Sequence, residues 1–182
     1  MMRQLSILFG LLVALSSCDW NSELQHSPEI YTSYFYVNPV FSGDSLVGAK
    51  DTLSLFYDAE DESYEMDTLH VGDTVMFASS YYSWNSNLVS VDMDWDSLRM
   101  NLWFPLLDVI EKVLTSESKV EEGLLCFDPG YNRVSFPVYF SPIIKGGMTL
   151  KLTVKSDSDY PKSSVLFYIP VIEQVVDSVP AN

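Results

Sequence analysis

The chain has 182 residues, and its 25 acidic and 10 basic side chains give it a net charge of −15 at pH 7. A body this acidic is repelled by phosphate backbones and by anionic lipid headgroups. We therefore expect neither nucleic-acid binding nor direct adsorption to a membrane surface. The length allows one well-buried core, and a hydrophobic content of 47% is sufficient to fill it.

The first 17 residues have the pattern of a secretory signal peptide. Arg3 supplies a short positive region, and the stretch 5–15 is apolar except for one serine and one glycine. This stretch is shorter than the roughly 20 apolar residues that a membrane-spanning helix needs. The sequence LSSC at 15–18 then resembles the lipobox of bacterial lipoproteins, in which a branched apolar residue and two small residues precede a modified cysteine.

This resemblance implies removal of residues 1–17, a diacylglyceryl thioether on the Cys18 sulfur, and acylation of the freed amine. Several acyl chains hold a protein on a bilayer, because each buried methylene contributes about 0.8 kcal/mol. Arg3 is the only charged residue in 1–17, so its loss changes the net charge from −15 to −16. The polar stretch 18–28 is then the lipidated N-terminus and a flexible tether.

Three stretches show the period-two alternation of half-buried strands: 88–95, 133–140 and 148–155. The residues expected on the core side are Val89, Val91, Met93, Trp95, Val134, Phe136, Val138, Phe140, Leu150, Leu152 and Val154. Less regular strand candidates lie at 31–37, 51–57, 73–81, 123–128 and 164–173. Proline lacks an N–H for the strand ladder, so Pro137 and Pro170 predict edge strands or bulges.

The sequence GDSLVG at 43–48 resembles the block that names the GDSL esterases, with Ser45 in the place of the nucleophile. An Asp-x-x-His motif follows at 67–70, ending in His70. The chain lacks the helices of the α/β/α esterase domain and the Gly-Asn block that supplies oxyanion donors. Because Gly-Asp-Ser is also an ordinary loop sequence, an esterase is only a distant alternative.

Aromatic and amide side chains gather in the sequence YYSWNSN. The residues are Tyr81, Tyr82, Trp84, Asn85 and Asn87, in a predicted loop. Flat rings that stack on sugar faces, with amides for the hydroxyl groups, would make a glycan-binding surface. Aromatic rings also fill sandwich cores and cover strand ends, and local spacing does not separate these two interpretations.

Acidic residues alternate in DMDWDS, which places Asp92, Asp94 and Asp96 about 6.6 Å apart along one face of a strand. Clustered carboxylates are the ligands that calcium prefers, so these residues are weak candidates for a Ca²⁺ site. An EF-hand loop is excluded, because Ser97 replaces the required glycine and Trp103 replaces the bidentate glutamate. A solvated strand face is the simpler interpretation, and we expect no cofactor other than the lipid.

One stretch breaks the strand pattern, since 105–115 has apolar residues at helical spacing and begins with Pro105, which suits a first helical position. We predict one short inserted helix there. Cys126 lies in an apolar run and is expected to behave as a small hydrophobe without a disulfide partner. His26 and His70 are the only histidines, which argues against a zinc site.

Many short strands with regular turns predict an all-β fold, an antiparallel β-sandwich. HVGDTVMF and the strands that follow, up to FYIPVIE, resemble bacterial immunoglobulin-like modules over 67–173. The resemblance implies an immunoglobulin-like sandwich with the helix of 105–115 inserted. We place this domain at 29–176 and a short C-terminal tail at 177–182.

The whole chain also resembles Bacteroidetes-type surface lipoproteins of unassigned function. The expected role is non-enzymatic: a lipid-anchored cell-envelope protein, attached to the outer membrane, that is an interaction or accessory module of a surface assembly. The expected partner is another cell-surface protein or a glycan. A glycan-binding lipoprotein of a polysaccharide-uptake system is the alternative. The orientation of the domain, toward the periplasm or the medium, is left open by the sequence.

Overall fold

A computed structural model describes residues 26–173, so the predicted signal peptide, Cys18 and the predicted tail at 177–182 lie outside the described residues. The fold is almost entirely β, and its strands are β1 (Glu29–Thr32), β2 (Phe35–Val37), β3 (Val40–Ser42), β4 (Ser45–Gly48), β5 (Asp51–Leu53), β6 (Leu55–Asp58), β7 (Ser63–Met66), β8 (Leu69–His70), β9 (Val75–Tyr82), β10 (Leu88–Trp95), β11 (Met100–Trp103), β12 (Leu124–Cys126), β13 (Arg133–Pro142), β14 (Gly146–Ser156) and β15 (Lys162–Ile172).

The strands form two large sheets and a separate hairpin. Sheet 1 has the order β11-β13-β9-β2-β5, and β1 also pairs with β9. Sheet 2 has the order β12-β10-β14-β15-β7-β6, and β8 also pairs with β15. The hairpin consists of β3 and β4, which in the described residues pair only with each other.

The prediction of antiparallel sheets is confirmed except on one side of β15. There β7 and β8 run parallel to β15, with Phe167 opposite Tyr64 and Val171 opposite Leu69. Parallel pairing requires a long crossover connection, and the chain between β8 and β15 builds most of both sheets before it returns. No local pattern in the sequence encodes such a contact.

A shared core lies between the two sheets. Phe35 of sheet 1 stacks on Phe77 with ring centroids 4.6 Å apart, and it also meets Phe167 of sheet 2 at 5.3 Å. The alternation predicted for β13 and β14 is confirmed, because the inward residues of both strands are buried apart from the half-buried Val134. Burial of this apolar area is the main force that holds the sheets together.

The alternation predicted for β10 is wrong at its start. The register with β14 shifts between Leu88 and Ser90, so that Val89 is an extra residue in a bulge. Val89 is 45% exposed, whereas Leu88 and Val91 are buried. An extra residue in one strand reverses the side on which the next side chains point.

Pro137 and Pro170 were predicted to lie in edge strands or at bulges, and the structure places both in interior strands, β13 and β15. On one side of its strand, each proline lies at a position where the neighbouring strand does not pair. Strand β11 pairs with β13 only from Tyr139 onward, beyond Pro137. Pro170 lies between the residues of β15 that pair with β7 and those that pair with β8. The N–H that proline lacks therefore removes no inter-strand hydrogen bond on the side of β11 for Pro137, or on the side of β7 and β8 for Pro170.

The inserted helix is confirmed but is shorter than predicted. Helix α1 is Leu107–Ile110, and a 3₁₀ turn continues it over Glu111–Val113. No side chain caps its first turn, and Ile110 is its only buried residue. The flanking residues connect the sheets, because Phe104 meets Phe136 of sheet 1 and Leu114 forms a bridge with Phe127 beside β12. A second 3₁₀ turn, Val120–Glu122, precedes β12.

A buried carboxylate fixes the base of the β3–β4 hairpin. Asp73 accepts hydrogen bonds from the backbone N–H of His70 at 2.9 Å and from Asn38 Nδ2 at 2.8 Å. Lys50 Nζ lies 3.5 Å from the same carboxylate. Burial alone would raise the pKa of Asp73, but these donors outweigh burial and lower the pKa below its ordinary value.

Candidate functional site

Tyr81 does not belong to the predicted aromatic surface. The alternation of β9 continues to its last residues, so Tyr81 points inward, is 0% exposed and packs on Phe136 at 5.5 Å. The hydroxyls of Tyr81 and Ser79 find no hydrogen-bond partner within the described residues. Burial raises the pKa of the Tyr81 phenol far above its ordinary value. Tyr81 is therefore a core residue and not a glycan ligand.

Tyr82 and Trp84 remain at the surface, and Trp84 is 49% exposed. Their rings are 4.9 Å apart but meet edge to face at 74°. Trp84 Nε1 donates a hydrogen bond of 3.2 Å to Glu29 Oε1, which holds the indole against β1. The two rings thus form a corner, whereas a sugar-stacking shelf would need them coplanar.

Asn87 holds three loops together. Its backbone N–H and its Nδ2 donate to the two carboxylate oxygens of Asp157 at 2.7 and 2.8 Å. Its Oδ1 accepts from the N–H of Gly130 at 3.2 Å. The two hydrogen bonds from Asn87 lower the pKa of the Asp157 carboxyl below its ordinary value. Asn85 is exposed and lines, with Asn87, an open cavity of about 250 Å³ that also includes His26.

The predicted acidic row at 92–96 is split by the end of β10. Asp92 and Asp94 lie opposite Thr153 and Lys151 of β14, while Asp96 follows the strand and its carboxylate lies 3.4 Å from Arg99 Nε. Within residues 26–173, no three carboxylate, histidine or cysteine side chains are close enough to hold a metal ion.

The GDSL-like block at 43–48 forms the turn and the second strand of the β3–β4 hairpin. Gly43 has φ 60° and is the first residue of the two-residue turn that brings Ser42 opposite Ser45. Ser45 is exposed on this hairpin. His70 lies on β8, with its Nδ1 3.5 Å from the buried Asp73 carboxylate.

Cys126 lies on the edge strand β12 and is a half-buried free thiol. The backbone N–H of Cys126 donates to Ser118 Oγ at 2.9 Å, and Ser118 Oγ donates to the Cys126 carbonyl at 3.1 Å. Burial raises the pKa of the Cys126 thiol, and the nearby Glu117 charge adds to this shift. A raised pKa leaves less of the reactive thiolate at neutral pH.

A cleft that the sequence did not predict lies between the sheets, beside β1. Tyr31, Tyr57 and Tyr64 line it, together with Glu29 and Glu62. These residues come from separate parts of the chain and meet because β7 pairs with β15 far along the sequence. The exposed aromatic residues of β1 and β6 were the only local signal for this cleft.

Comparison with known proteins assigns no family, since no family model and no curated protein matches the chain. The chain is similar to a family 123 glycoside hydrolase from Clostridium perfringens, with 10% identity and a TM-score of 0.41, over 82% of this chain and 28% of that chain. It is also similar to the cupredoxin domain of amoB from Nitrosocaldus yellowstonii, with 12% identity and a TM-score of 0.28, over 60% of this chain and 65% of that chain.

The chain thus spans less than a third of the length of the glycoside hydrolase and just under two thirds of the length of the cupredoxin domain. Neither similarity is close enough to assign an activity. In residues 26–173, no helix has the length and apolar character needed to cross a bilayer.

Proposed function

We propose that this chain is a lipid-anchored, non-enzymatic module of the cell envelope that docks a protein partner through the β3–β4 hairpin. The hairpin is the observation that carries this proposal. Val40, Phe41 and Val47 are 55%, 42% and 62% exposed on it. Natural proteins protect exposed apolar strands, so a hairpin with open edges and bare apolar side chains is suited to pairing with another chain.

An aromatic groove continues the apolar surface from the hairpin onto sheet 1. Phe41 lines it together with Trp103 and Tyr139, and its volume is about 530 Å³. Trp103 and Tyr139 lie on neighbouring strands, with ring centroids 5.5 Å apart and planes inclined by 30°. Rigid aromatic side chains lose little conformational entropy on binding, which favours them at protein interfaces.

The base of the hairpin is held rigidly, which supports a docking role. Asn38, two residues before the hairpin, has φ 48°. Its Nδ2 donates to Asp73, and its Oδ1 accepts from the N–H of Thr74 at 2.8 Å. Lys50, just after the hairpin, contacts the same Asp73. A preordered element loses less freedom on binding than a mobile one.

Glu29, which follows the predicted tether, and the hairpin lie near opposite ends of β9. β1 pairs Glu29 with Tyr82 at the last residue of β9. Val37, three residues before the hairpin, pairs with Val75 at the first residue of β9. An eight-residue strand spans about 25 Å, so the hairpin is well separated from the point where the predicted tether joins the fold.

We also propose the finer fold assignment, an immunoglobulin-like sandwich over 67–173. β8, the first strand of this segment, pairs with β15, its last strand, so that the segment closes on itself. Of the additional strands, β1, β2 and β5 extend sheet 1, and β6 and β7 extend sheet 2. The outer membrane is the proposed location, in keeping with the lipobox.

Photo-crosslinking in the native cell tests the docking role. We expect p-benzoylphenylalanine in place of Phe41 to give a discrete adduct with one protein, because the side chain lies at the centre of the proposed contact. The matched control is the same replacement at Tyr160, which is 60% exposed but lies away from the hairpin, after β14. Absence of an adduct at position 41, or the same adducts at both positions, would contradict the proposal.

Metabolic labelling tests the anchor separately. We expect labelled palmitate to enter the native chain, and Cys18→Ser to abolish both the labelling and the sedimentation with membranes, because the thiol carries the diacylglyceryl group. Cys126→Ser is the matched control, and it should leave both unchanged. Labelling that survives Cys18→Ser would refute lipidation at this residue.

Glycan binding by Tyr82, Trp84 and Asn85 remains the second proposal. It ranks below protein docking because the two rings meet at 74°, and because Asn87 already uses both ends of its amide for contacts within the protein. The esterase ranks third, because Ser45 is exposed on the hairpin whereas His70 lies on β8 beside Asp73.

A further inference from the structure

The cleft beside β1 is a second surface, distinct from the hairpin. It has a volume of about 430 Å³ and lies where β1 of sheet 1 faces β6, β7 and β15 of sheet 2. Three tyrosines and two glutamates contribute to its lining: Tyr31, Tyr57, Tyr64, Glu29 and Glu62.

Two of the tyrosine rings, those of Tyr57 and Tyr64, are inclined to each other, and Tyr64 is anchored to the core. Tyr57 and Tyr64 are cross-strand neighbours whose ring centroids are 5.1 Å apart at 53°. Tyr64 in turn meets the buried Phe167 at 5.8 Å. Tyr31 and Tyr57 are 56% and 59% exposed, so their faces are available to a ligand. Inclined rings form walls around a compact group and do not make a flat shelf.

The charge of the cleft is negative. Glu29 is held in place by hydrogen bonds from the Tyr31 hydroxyl and from Trp84 Nε1, and both donors favour its ionised form. Glu62, in the turn between β6 and β7, adds a second carboxylate. Among the described residues, no lysine, arginine or histidine lines the cleft, although His26, outside the lining, also favours the ionised form of Glu29. The net charge of the whole chain, −15, has the same sign.

We propose that this cleft binds the ammonium group of a small organic cation. The faces of aromatic rings attract cations, and aromatic walls next to carboxylates are how proteins recognise quaternary ammonium groups. The two carboxylates repel an anionic ligand, and a neutral sugar would gain nothing from the charge. This inference goes beyond the proposed docking function and does not depend on the hairpin or on Cys18.

Choline is a suitable probe, and neohexyl alcohol is its matched control because a neutral carbon replaces the nitrogen without changing the shape. In an NMR titration of the full mature chain, we expect saturable shifts with choline, and binding of neohexyl alcohol that is weaker by about tenfold. The choline affinity should also fall with added salt.

Variants locate the site. We expect Tyr57→Ala and Glu62→Gln each to weaken choline binding by about fivefold, whereas Tyr57→Phe, which keeps the ring face, should bind nearly as the parent does. Unchanged thermal unfolding of each variant shows that the fold is intact. Equal binding of choline and neohexyl alcohol would overturn the proposal, as would a lack of response to choline, or saturation by a neutral methyl glycoside in its place.

Discussion

Phe35→Ala is expected to destabilise the chain by about 3–5 kcal/mol, because it removes a fully buried ring at the contact between the two sheets. Phe35 is 0% exposed and touches Phe77 of its own sheet and Phe167 of the other. Loss of the ring leaves a cavity whose walls are rigid strands, so little relaxation is available to fill it. Urea unfolding followed by tryptophan fluorescence measures the change in the free energy of unfolding.

Phe56→Ala is the matched control, because Phe56 is a strand phenylalanine that is 62% exposed. Its effect should stay within about 0.5 kcal/mol. A double-mutant cycle of Phe35→Ala with Phe167→Leu should show a coupling on the order of 0.5–1.5 kcal/mol across the sheets. Equal effects of Phe35→Ala and Phe56→Ala, without coupling, would mean that the sheets do not share this core.

The strand pattern was predictable wherever local alternation decides which side is buried. On β13, Phe136, Val138 and Phe140 alternate without interruption, and all three are buried. The pattern fails at Val89, because a bulge depends on how β10 pairs with β14. It cannot be recognised from the sequence of β10 alone. Local periodicity therefore gives the face of a strand only where the register is unbroken.

The aromatic residues at 81–87 show the same limit of local sequence patterns. Tyr81 and Tyr82 are identical side chains in adjacent positions, yet one is fully buried and the other lies at the surface. Tyr81 ends the strand predicted at 73–81, and the alternation of β9 places it on the core side. The sequence left open whether Trp84 lies in the core or at the surface, and its hydrogen bond to Glu29, 55 residues away, is a contact that no local pattern indicates.

The cleft of Tyr31, Tyr57 and Tyr64 could not be predicted from the sequence, for a related reason. Tyr31 and Tyr57 lie in the strands predicted at 31–37 and 51–57, but no strand was predicted at Tyr64, and their meeting requires β7 to run parallel to β15. Long-range parallel pairing is determined by the topology of the whole domain and not by any segment. Sites built from one loop are therefore more readily predicted than sites built from several strands.

Gly123→Ala is expected to destabilise the chain by about 2–5 kcal/mol, the sum of backbone strain and overpacking. Gly123 has φ 83° and ends the 3₁₀ turn Val120–Glu122. Its carbonyl accepts from the N–H of Met93 at 3.0 Å, which draws the turn against β10. A Cβ there would lie 2.3 Å from the Met93 carbonyl oxygen and 2.5 Å from the Trp95 ring. A backbone atom cannot move aside as a side-chain tip can.

Gly72→Ala separates the two contributions, because Gly72 has nearly the same φ, 85°, and no heavy atom lies within 4 Å of where its Cβ would be. The free energy of unfolding of this variant should fall by only about 1–2 kcal/mol, the cost of placing alanine in the left-handed conformation. The difference between the two variants in urea unfolding then measures the contact of Gly123 with β10. Similar losses of unfolding free energy in both variants would show that the turn can move away from Met93. The close approach of this turn to β10 would then not be needed for the stability of the fold.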